Sequence, residues 1–147
     1  MADAKPVMDQ INLVVADMEA AMAFYRRLGL RIPEPREWPP ESGALHAEAG
    51  ACGGARFELD NHAMAKIWHA SWRKGEAGSR VVLGFSLASR EAVDERYAEL
   101  TAAGHPSRQP PCDAFWGARY AIVQDPDGND VGLMSPIDPA RRFMPKS

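Results

Sequence analysis

The sequence predicts an α+β fold of two similar modules, with mixed sheets and helices on their outer side. The main observation is a repeat in which a strand, a helix-capping residue, a helix and a terminating glycine occur twice. The capping residues Asp17 and Ser89 lie 72 positions apart, and the helix-ending Gly29 and Gly104 lie 75 apart. A repeat of this period indicates two stacked units that need each other to bury their sheets.

Residues 8–30 form the first strand and helix of this repeat. Apolar residues alternate along the strand, which is the period-two pattern, at Ile11, Leu13 and Val15. Asp17 can cap the helix that follows. Apolar residues then recur at helical spacing, at Met18, Ala21, Met22, Tyr25 and Leu28. We expect the two apolar faces to pack together, so that Gln10 and Asn12 face water or a ligand cleft.

Proline and glycine residues mark the loops and turns between the predicted elements in the rest of the first half. Four prolines between 33 and 40 exclude a helix and a central strand, so we predict a short strand at 30–32 and a loop at 33–42. Residues 44–48 and 55–60 are predicted to pair as a hairpin, with Gly50, Gly53 and Gly54 in its turn. A short helix is predicted within 63–78.

The second half is predicted to follow the same order. Residues 80–88 form a strand, and Ser89 caps a helix with an apolar stripe at Ala92, Val93, Tyr97 and Leu100. A proline-rich loop at 105–113 leads to strands at 116–124 and 130–135. The turn between these strands is Asp125–Gly128, because Asp-Pro-Asp-Gly is typical of a type I turn. An EF-hand calcium loop needs its glycine and glutamate at other positions, so a hairpin turn is favoured over calcium binding.

Composition limits the classes of function. The formal charge of −3 comes from interspersed acidic and basic residues, whereas a nucleic-acid groove needs a clustered basic face. No apolar run approaches the roughly 18–20 residues that a membrane span needs. The N-terminus has no apolar signal core, and two cysteines are too few for a disulfide scaffold. We therefore expect a cytoplasmic protein that binds neither nucleic acid nor membrane.

Two motifs carry a family resemblance. They are D-x-x-x-A-x-x-F-Y-x-x-L-G at 17–29 and D-P-D-G-N at 125–129. With a β-α-β-β-β unit occurring twice, the chain resembles the vicinal oxygen chelate superfamily, which includes glyoxalase I, extradiol dioxygenases and the fosfomycin- and bleomycin-resistance proteins. The resemblance covers about residues 7–136. It implies one domain of two βαβββ modules, about 7–62 and 79–136, which form a curved mixed sheet around a cleft. Residues 137–147 are a tail, and the family implies a homodimer.

The resemblance also implies where a metal would bind. Its four ligand positions fall on Gln10, Glu58, Val82 and Gly132. Valine and glycine cannot coordinate a metal, and two oxygen donors make a poor site. The four histidines are each assigned a structural or surface role, at His46, His62, His69 and His105. The resemblance therefore implies the metal-free branch, and we expect no cofactor and no tightly bound transition metal.

Strand alternation predicts the side chains that face the cleft. In the first module they are Gln10, Asn12, Arg56, Glu58 and Asp60. In the second they are Arg80, Val82, Gly84, Ser86, Asp130, Gly132 and Met134. Candidate aromatic walls are Trp68, Trp72, Phe115, Trp116 and Tyr120. The alternatives are that these aromatics belong to the core, and that Glu58 forms a structural ion pair with Arg56 or Arg80. Cys112 is interpreted as an ordinary loop thiol, because no base adjoins it in the sequence.

Three functions remain open. The first is a metal-free protein of bleomycin-resistance type that sequesters a hydrophobic or aromatic small molecule. The second is a metal-free enzyme of glyoxalase-like lyase or isomerase type, with Glu58 as general base. The third is a metal-dependent lyase or dioxygenase that uses Gln10 and Glu58. The first is favoured, because two ligand positions are empty and tryptophans are frequent.

Overall fold

A computed structural model of the protein describes residues 10–52, 54–68, 74, 82–114 and 116–143. The chain divides into two compact units, Met1–Gly75 and Glu76–Ser147. Each unit holds one four-stranded mixed sheet, so the α+β class with two modules is confirmed. None of the described helices combines the length and apolar character that crossing a bilayer would need.

The first unit orders its strands β1-β4-β3-β2. Its elements are β1 (Gln10–Val15), α1 (Met18–Leu28), β2 (Arg36–Glu37), β3 (Leu45–Cys52), β4 (Ala55–Asn61) and α2 (His62–Trp68). Strands β1 and β4 are parallel, and the other pairs are antiparallel. The chain therefore crosses from β1 to β2 at the far edge and returns by a hairpin to lie beside β1.

The second unit has the equivalent order, β5-β8-β7-β6. Its elements are β5 (Val82–Ser86), α3 (Arg90–Ala102), β6 (Ser107–Asp113), β7 (Arg119–Gln124) and β8 (Asp130–Met134), followed by a 3₁₀ turn at Pro139–Arg141. Gln10 and Val82 each begin the strand that pairs in parallel with the last strand of their unit. The predicted equivalence of the two halves is confirmed.

Helix α1 forms as its sequence predicts. The Asp17 carboxylate accepts a hydrogen bond from the Ala20 N–H at 3.0 Å, and Gly29 ends the helix with φ 117°. All five residues of the predicted apolar face are buried, and so is Phe24. The Tyr25 ring lies 4.9 Å from that of Phe57 on β4, which attaches α1 to the apolar face of the sheet. The polar residues of β1 are thereby left to the opposite face.

The second strand of the first unit was predicted at the wrong place. Residues 30–32 are not in a strand, and β2 lies instead at Arg36–Glu37, within the predicted loop. The Ile32 carbonyl accepts a hydrogen bond from Arg26 Nε at 2.9 Å rather than from a strand. Arg36 and Glu37 follow the last proline before Trp38, so both keep an N–H and pair with His46 and Leu45. Strand β2 lies at the edge of its sheet, which is where a proline-rich segment is tolerated, because proline has no N–H to donate to a neighbouring strand.

The predicted loop at 105–113 was also wrong, because β6 occupies most of it. This strand pairs with β7 alone, and its register shifts twice, between Ser107 and Gln109 and between Gln109 and Cys112. Pro110 and Pro111 fall in the second irregularity. An edge strand with bulges accommodates residues that cannot donate to the ladder. Strand β7 is shorter than predicted, because Gly117, with φ 97°, lies in a turn before it.

Candidate functional site

One face of the first sheet carries an unusual concentration of polar residues. Asn12 on β1 pairs with Glu58 on β4, and Glu58 pairs in turn with Glu48 on β3. Two residues further along β4, Asp60 pairs with His46 on β3, and His46 pairs with Arg36 on β2. Paired residues on neighbouring strands share a face. We call this the polar face, and it consists of Asn12, Arg36, His46, Glu48, Arg56, Glu58 and Asp60.

Hydrogen bonds join the buried carboxylates of the polar face. Asp60 and Glu58 are only 3% and 7% exposed. Asn12 Nδ2 donates to Asp60 Oδ2 at 2.8 Å and to Glu58 Oε2 at 3.4 Å. His46 Nδ1 lies 2.6 Å from Asp60 Oδ1. Each carboxylate oxygen of Asp60 therefore has a hydrogen-bonding partner at 2.8 Å or less, whereas the hydrogen bond from Asn12 to Glu58 is longer, at 3.4 Å.

Glu58 is also close to Arg56, one of the two arginines with which it could form a structural ion pair. Arg56 Nη1 lies 3.8 Å from Glu58 Oε1, a separation that is long for a hydrogen bond. Arg80, the other predicted partner, lies outside the described residues. The Glu58 carboxylate thus keeps acceptor capacity toward a ligand.

A hollow of about 440 Å³ opens over the buried carboxylates. It is lined by Asn12, Arg36, Trp38, His46, Glu58, Asp60 and Met64. Trp38 is 67% exposed, and with Met64 it gives the hollow an apolar wall above a polar floor. This volume falls within the range of small-molecule sites, and the lining residues are more polar than is usual for them. Trp38 was not among the predicted aromatic walls, because it lies in the segment that the prolines marked as a loop.

His46 and Glu48 join Glu58 in a cluster that the sequence analysis missed. One donor atom from each residue lies within 4.8 Å of a donor atom in the other two. The spacing of 46 and 48 by two residues places them on one face of a strand, which was the available signal. Their side-chain types and their separation suit a divalent cation.

In the second unit the corresponding face has fewer charged residues, and the register places Asp130 on it, opposite Val82 and Gln124. Gly84 pairs with Gly132, Ser86 with Met134, and Tyr120 with Met134. The Tyr120 and Trp116 rings pack edge to face at 5.4 Å. Burial raises the pKa of Tyr120, and the charges of Asp130 and Cys112 add to this effect. The phenol therefore remains protonated at neutral pH.

The family's metal positions do not fit a metal in this chain. Val82 and Gly132 offer no donor atom, and the structure adds a steric reason. A Cβ at Gly132 would lie 2.8 Å from Tyr120 Oη, so the phenol occupies the space that a glutamate would need. The register confirms that Glu58 and Gly132 are equivalent, since each faces the third residue of its unit's first strand.

Several predicted site residues cannot be placed. Arg80, Trp72 and Phe115 lie outside the described residues, as do the side chains of Gln10 and Trp68. Backbone pairing sets Gln10 opposite Arg56. Among the remaining candidates, Asn12 and Glu58 lie in the first unit, while Val82, Trp116, Tyr120 and Gly132 lie in the second. Cys112 accepts a hydrogen bond from the Gln109 amide at 3.2 Å, and an amide cannot take its proton.

Comparison with known proteins agrees with the fold. The family model for the Glyoxalase/Bleomycin resistance protein/Dioxygenase superfamily matches residues 7–133. No curated protein matches the chain at a significant level.

Solved structures give the same result for the fold. A superfamily member from Sphaerobacter thermophilus is 26% identical, with a TM-score of 0.59 over 90% of this chain and 98% of that one. A glyoxalase/bleomycin resistance protein/dioxygenase from Nocardioides is 24% identical, with a TM-score of 0.67 over 93% and 87%. A lactoylglutathione lyase from Agrobacterium tumefaciens is 22% identical, with a TM-score of 0.59 over 91% and 96%.

Proposed function

Because the chain belongs to the glyoxalase/bleomycin resistance protein/dioxygenase superfamily, we propose that it binds a small molecule on the polar face and sequesters it unchanged. The observation that carries this proposal is the hollow of about 440 Å³, with buried Glu58 in its floor and exposed Trp38 on its wall. A ligand of hydrophobic or aromatic character would stack on the indole. Its cationic or hydrogen-bond-donating group would meet the carboxylate.

Sequestration is favoured over the family's metal chemistry by the residues at the four family positions. Two of them have no donor atom, and Tyr120 fills the space beside Gly132. Binding of the proposed kind needs no metal, because a carboxylate and an aromatic wall recognise the ligand directly.

An enzyme of lyase, isomerase or dioxygenase type is the second candidate. It is supported by His46 and Glu48, whose donor atoms lie within 4.8 Å of that of Glu58. Glu58 would then act as general base or as a metal ligand. The fate of the ligand separates the candidates, since a sequestering protein returns it unaltered.

Native mass spectrometry of protein purified in chelator from its own organism tests the proposal. We expect a small molecule at one per chain that is released unchanged after denaturation. Conversion of this molecule during incubation would instead support the enzyme. Protein that carries no small molecule, and that binds none from an extract of the same cells, would contradict both.

A further inference from the structure

The His46–Glu48–Glu58 cluster is an arrangement that the family resemblance does not explain. Glu48 and Glu58 are directly opposite each other on the antiparallel strands β3 and β4, and His46 lies two residues along on the same face. Like charges that face each other across a strand pair are unfavourable. Arg56 Nη1 lies 3.8 Å from Glu58 Oε1 and offsets some of this repulsion. A cation bound between the two carboxylates would offset it as well.

A second layer of contacts orients the cluster. His46 Nδ1 lies 2.6 Å from Asp60 Oδ1, and Asp60 Oδ2 accepts from Asn12 Nδ2 at 2.8 Å. Histidine that binds a metal usually donates its other ring N–H to a carboxylate in this way, which fixes the ring and its tautomer. With Nδ1 bound to Asp60, Nε2 is the nitrogen that remains for a metal.

We infer that His46, Glu48 and Glu58 bind one divalent first-row transition-metal ion per chain. One imidazole nitrogen and two carboxylate oxygens form a three-ligand set that leaves a coordination position open. Glu58 is also one of the family's ligand positions. The other two ligands, His46 and Glu48, lie on β3, so all three residues belong to the first unit. This metal site goes beyond the proposed function. It differs from the expectation of a protein without a transition metal, which rested on the family positions and on a structural or surface role for each histidine, His46 included.

The second unit supplies an internal comparison. The register makes Tyr120, Ile122 and Gly132 the equivalents of His46, Glu48 and Glu58. None of these three is a histidine or a carboxylate. We therefore expect a stoichiometry of one ion per chain.

Zinc titration tests the inference directly. Untagged full-length protein is stripped with chelator, dialysed and titrated with Zn²⁺ in a calorimeter, and the retained metal is counted by mass spectrometry. We expect one site, and a loss of affinity of about tenfold or more in His46→Gln and in Glu48→Gln. Asp60→Asn, which removes the negative charge beside Nδ1 without touching the three ligands, should weaken binding about 10- to 100-fold. Glu41→Gln, at an exposed position in the same unit, serves as the matched control.

The outcomes separate this inference from the proposed function. Circular dichroism verifies that each variant is folded, and the exposed Glu48 is the variant that perturbs the fold least. Zinc affinity that is absent in the wild type, or equal in Glu48→Gln and Glu41→Gln, would overturn the metal site. Ligand binding is measured in chelator, so either proposal can fail while the other stands.

Discussion

Glu58 is the residue on which the proposed ligand site depends. We predict that Glu58→Gln keeps the fold, because glutamine has the same shape and can still accept from Asn12. Losing a charge-assisted hydrogen bond costs about 1.5–3 kcal/mol, so ligand affinity in chelator should fall roughly 10- to 100-fold. Titration with the co-purified ligand and a thermal melt of the same preparation measure both effects.

Glu41→Gln is the matched control for this prediction. Glu41 is exposed in the same unit and does not line the hollow over Glu58. It should leave ligand affinity almost unchanged. A large fall in the melting temperature of Glu58→Gln, with ligand affinity unaltered, would mean that Glu58 is structural and pairs with Arg56.

Gly132 and Gly84 offer a second test at the residue scale. A Cβ at Gly132 would lie 2.8 Å from Tyr120 Oη, whereas one at Gly84 would meet nothing within 4 Å. We predict that Gly132→Ala destabilises the protein by about 1–3 kcal/mol through overpacking, and that Gly84→Ala is neutral or stabilising. Urea unfolding measures both. Adding Tyr120→Phe should restore part of the loss, and equal stability of the two alanine variants would show that Tyr120 moves aside freely.

The residues of the polar face were only partly predictable. Alternation places Asn12, Glu58 and Asp60 correctly, because it needs only the strand itself. The approach of Glu48 to Glu58 depends on a register shift between Glu48 and Ala51. Without that bulge, Cys52 paired with Ala55 would set Ala49 opposite Glu58. Gly50, with φ 73°, permits the irregularity, but a single glycine does not specify it from sequence.

At the scale of elements, the Asp125–Gly128 turn depends on one buried carboxylate. Asp125 Oδ1 accepts from the Asp127 and Asn129 N–H groups at 2.9 Å each, and Oδ2 accepts from Asn129 Nδ2 at 2.8 Å. We predict that Asp125→Ala costs about 2 kcal/mol in urea unfolding, since these donors lose their acceptor in a part-buried turn. Asp125→Asn keeps one oxygen and should lose less. Equal losses in the two variants would contradict the role of Oδ1.

The ion pairs around Asp113 join α3, β6 and β7. Asp113 is bonded to Arg90 and lies 3.3 Å from Arg119, which also pairs with Asp94 at 2.8 Å. Desolvation would raise the pKa of Asp113, but the hydrogen bonds and charges of Arg90 and then Arg119 outweigh it, and the net pKa is lowered. A lowered pKa stabilises the fold above the unfolded-state value near 3.8 and loses that effect as pH falls through the folded value.

Asp113→Asn should therefore be less stable than the wild type near neutral pH, and the difference should shrink in acid. Urea unfolding of both proteins from pH 6 to pH 3 measures it. The effect is small, because the carboxylate is exposed and screened by solvent. A difference that stays constant over this range would mean that the stabilisation does not come from the charge.

Elements with strong local signals were predicted well, and the two edge strands in proline-rich segments, β2 and β6, were not. Helix α1 has a cap, an apolar stripe and a terminating glycine, and each was found where expected. Strands β2 and β6 have proline-rich neighbourhoods that locally favour loops. They are strands because a neighbouring strand pairs with one of their edges, which is a tertiary effect that local pattern does not contain.

At the scale of the whole molecule, we expect a homodimer. Strands β1 and β5 are each at the edge of a sheet, and each exposes an apolar residue, Ile11 at 36% and Val82 at 47%. Exposed strand edges with apolar side chains favour association with another chain. Sedimentation equilibrium should give twice the chain mass of 16.1 kDa at high micromolar concentration.

A charged substitution at each edge tests where the association occurs. Val82→Lys and Ile11→Lys change exposed positions, so the fold should persist while the equilibrium moves toward monomer by about tenfold or more for each buried lysine. Ile67→Lys, at an exposed apolar residue of a helix rather than of an edge strand, is the control. If all three variants remain dimeric, the interface lies elsewhere on the molecule. If the unaltered protein sediments as a monomer, the expected homodimer is wrong.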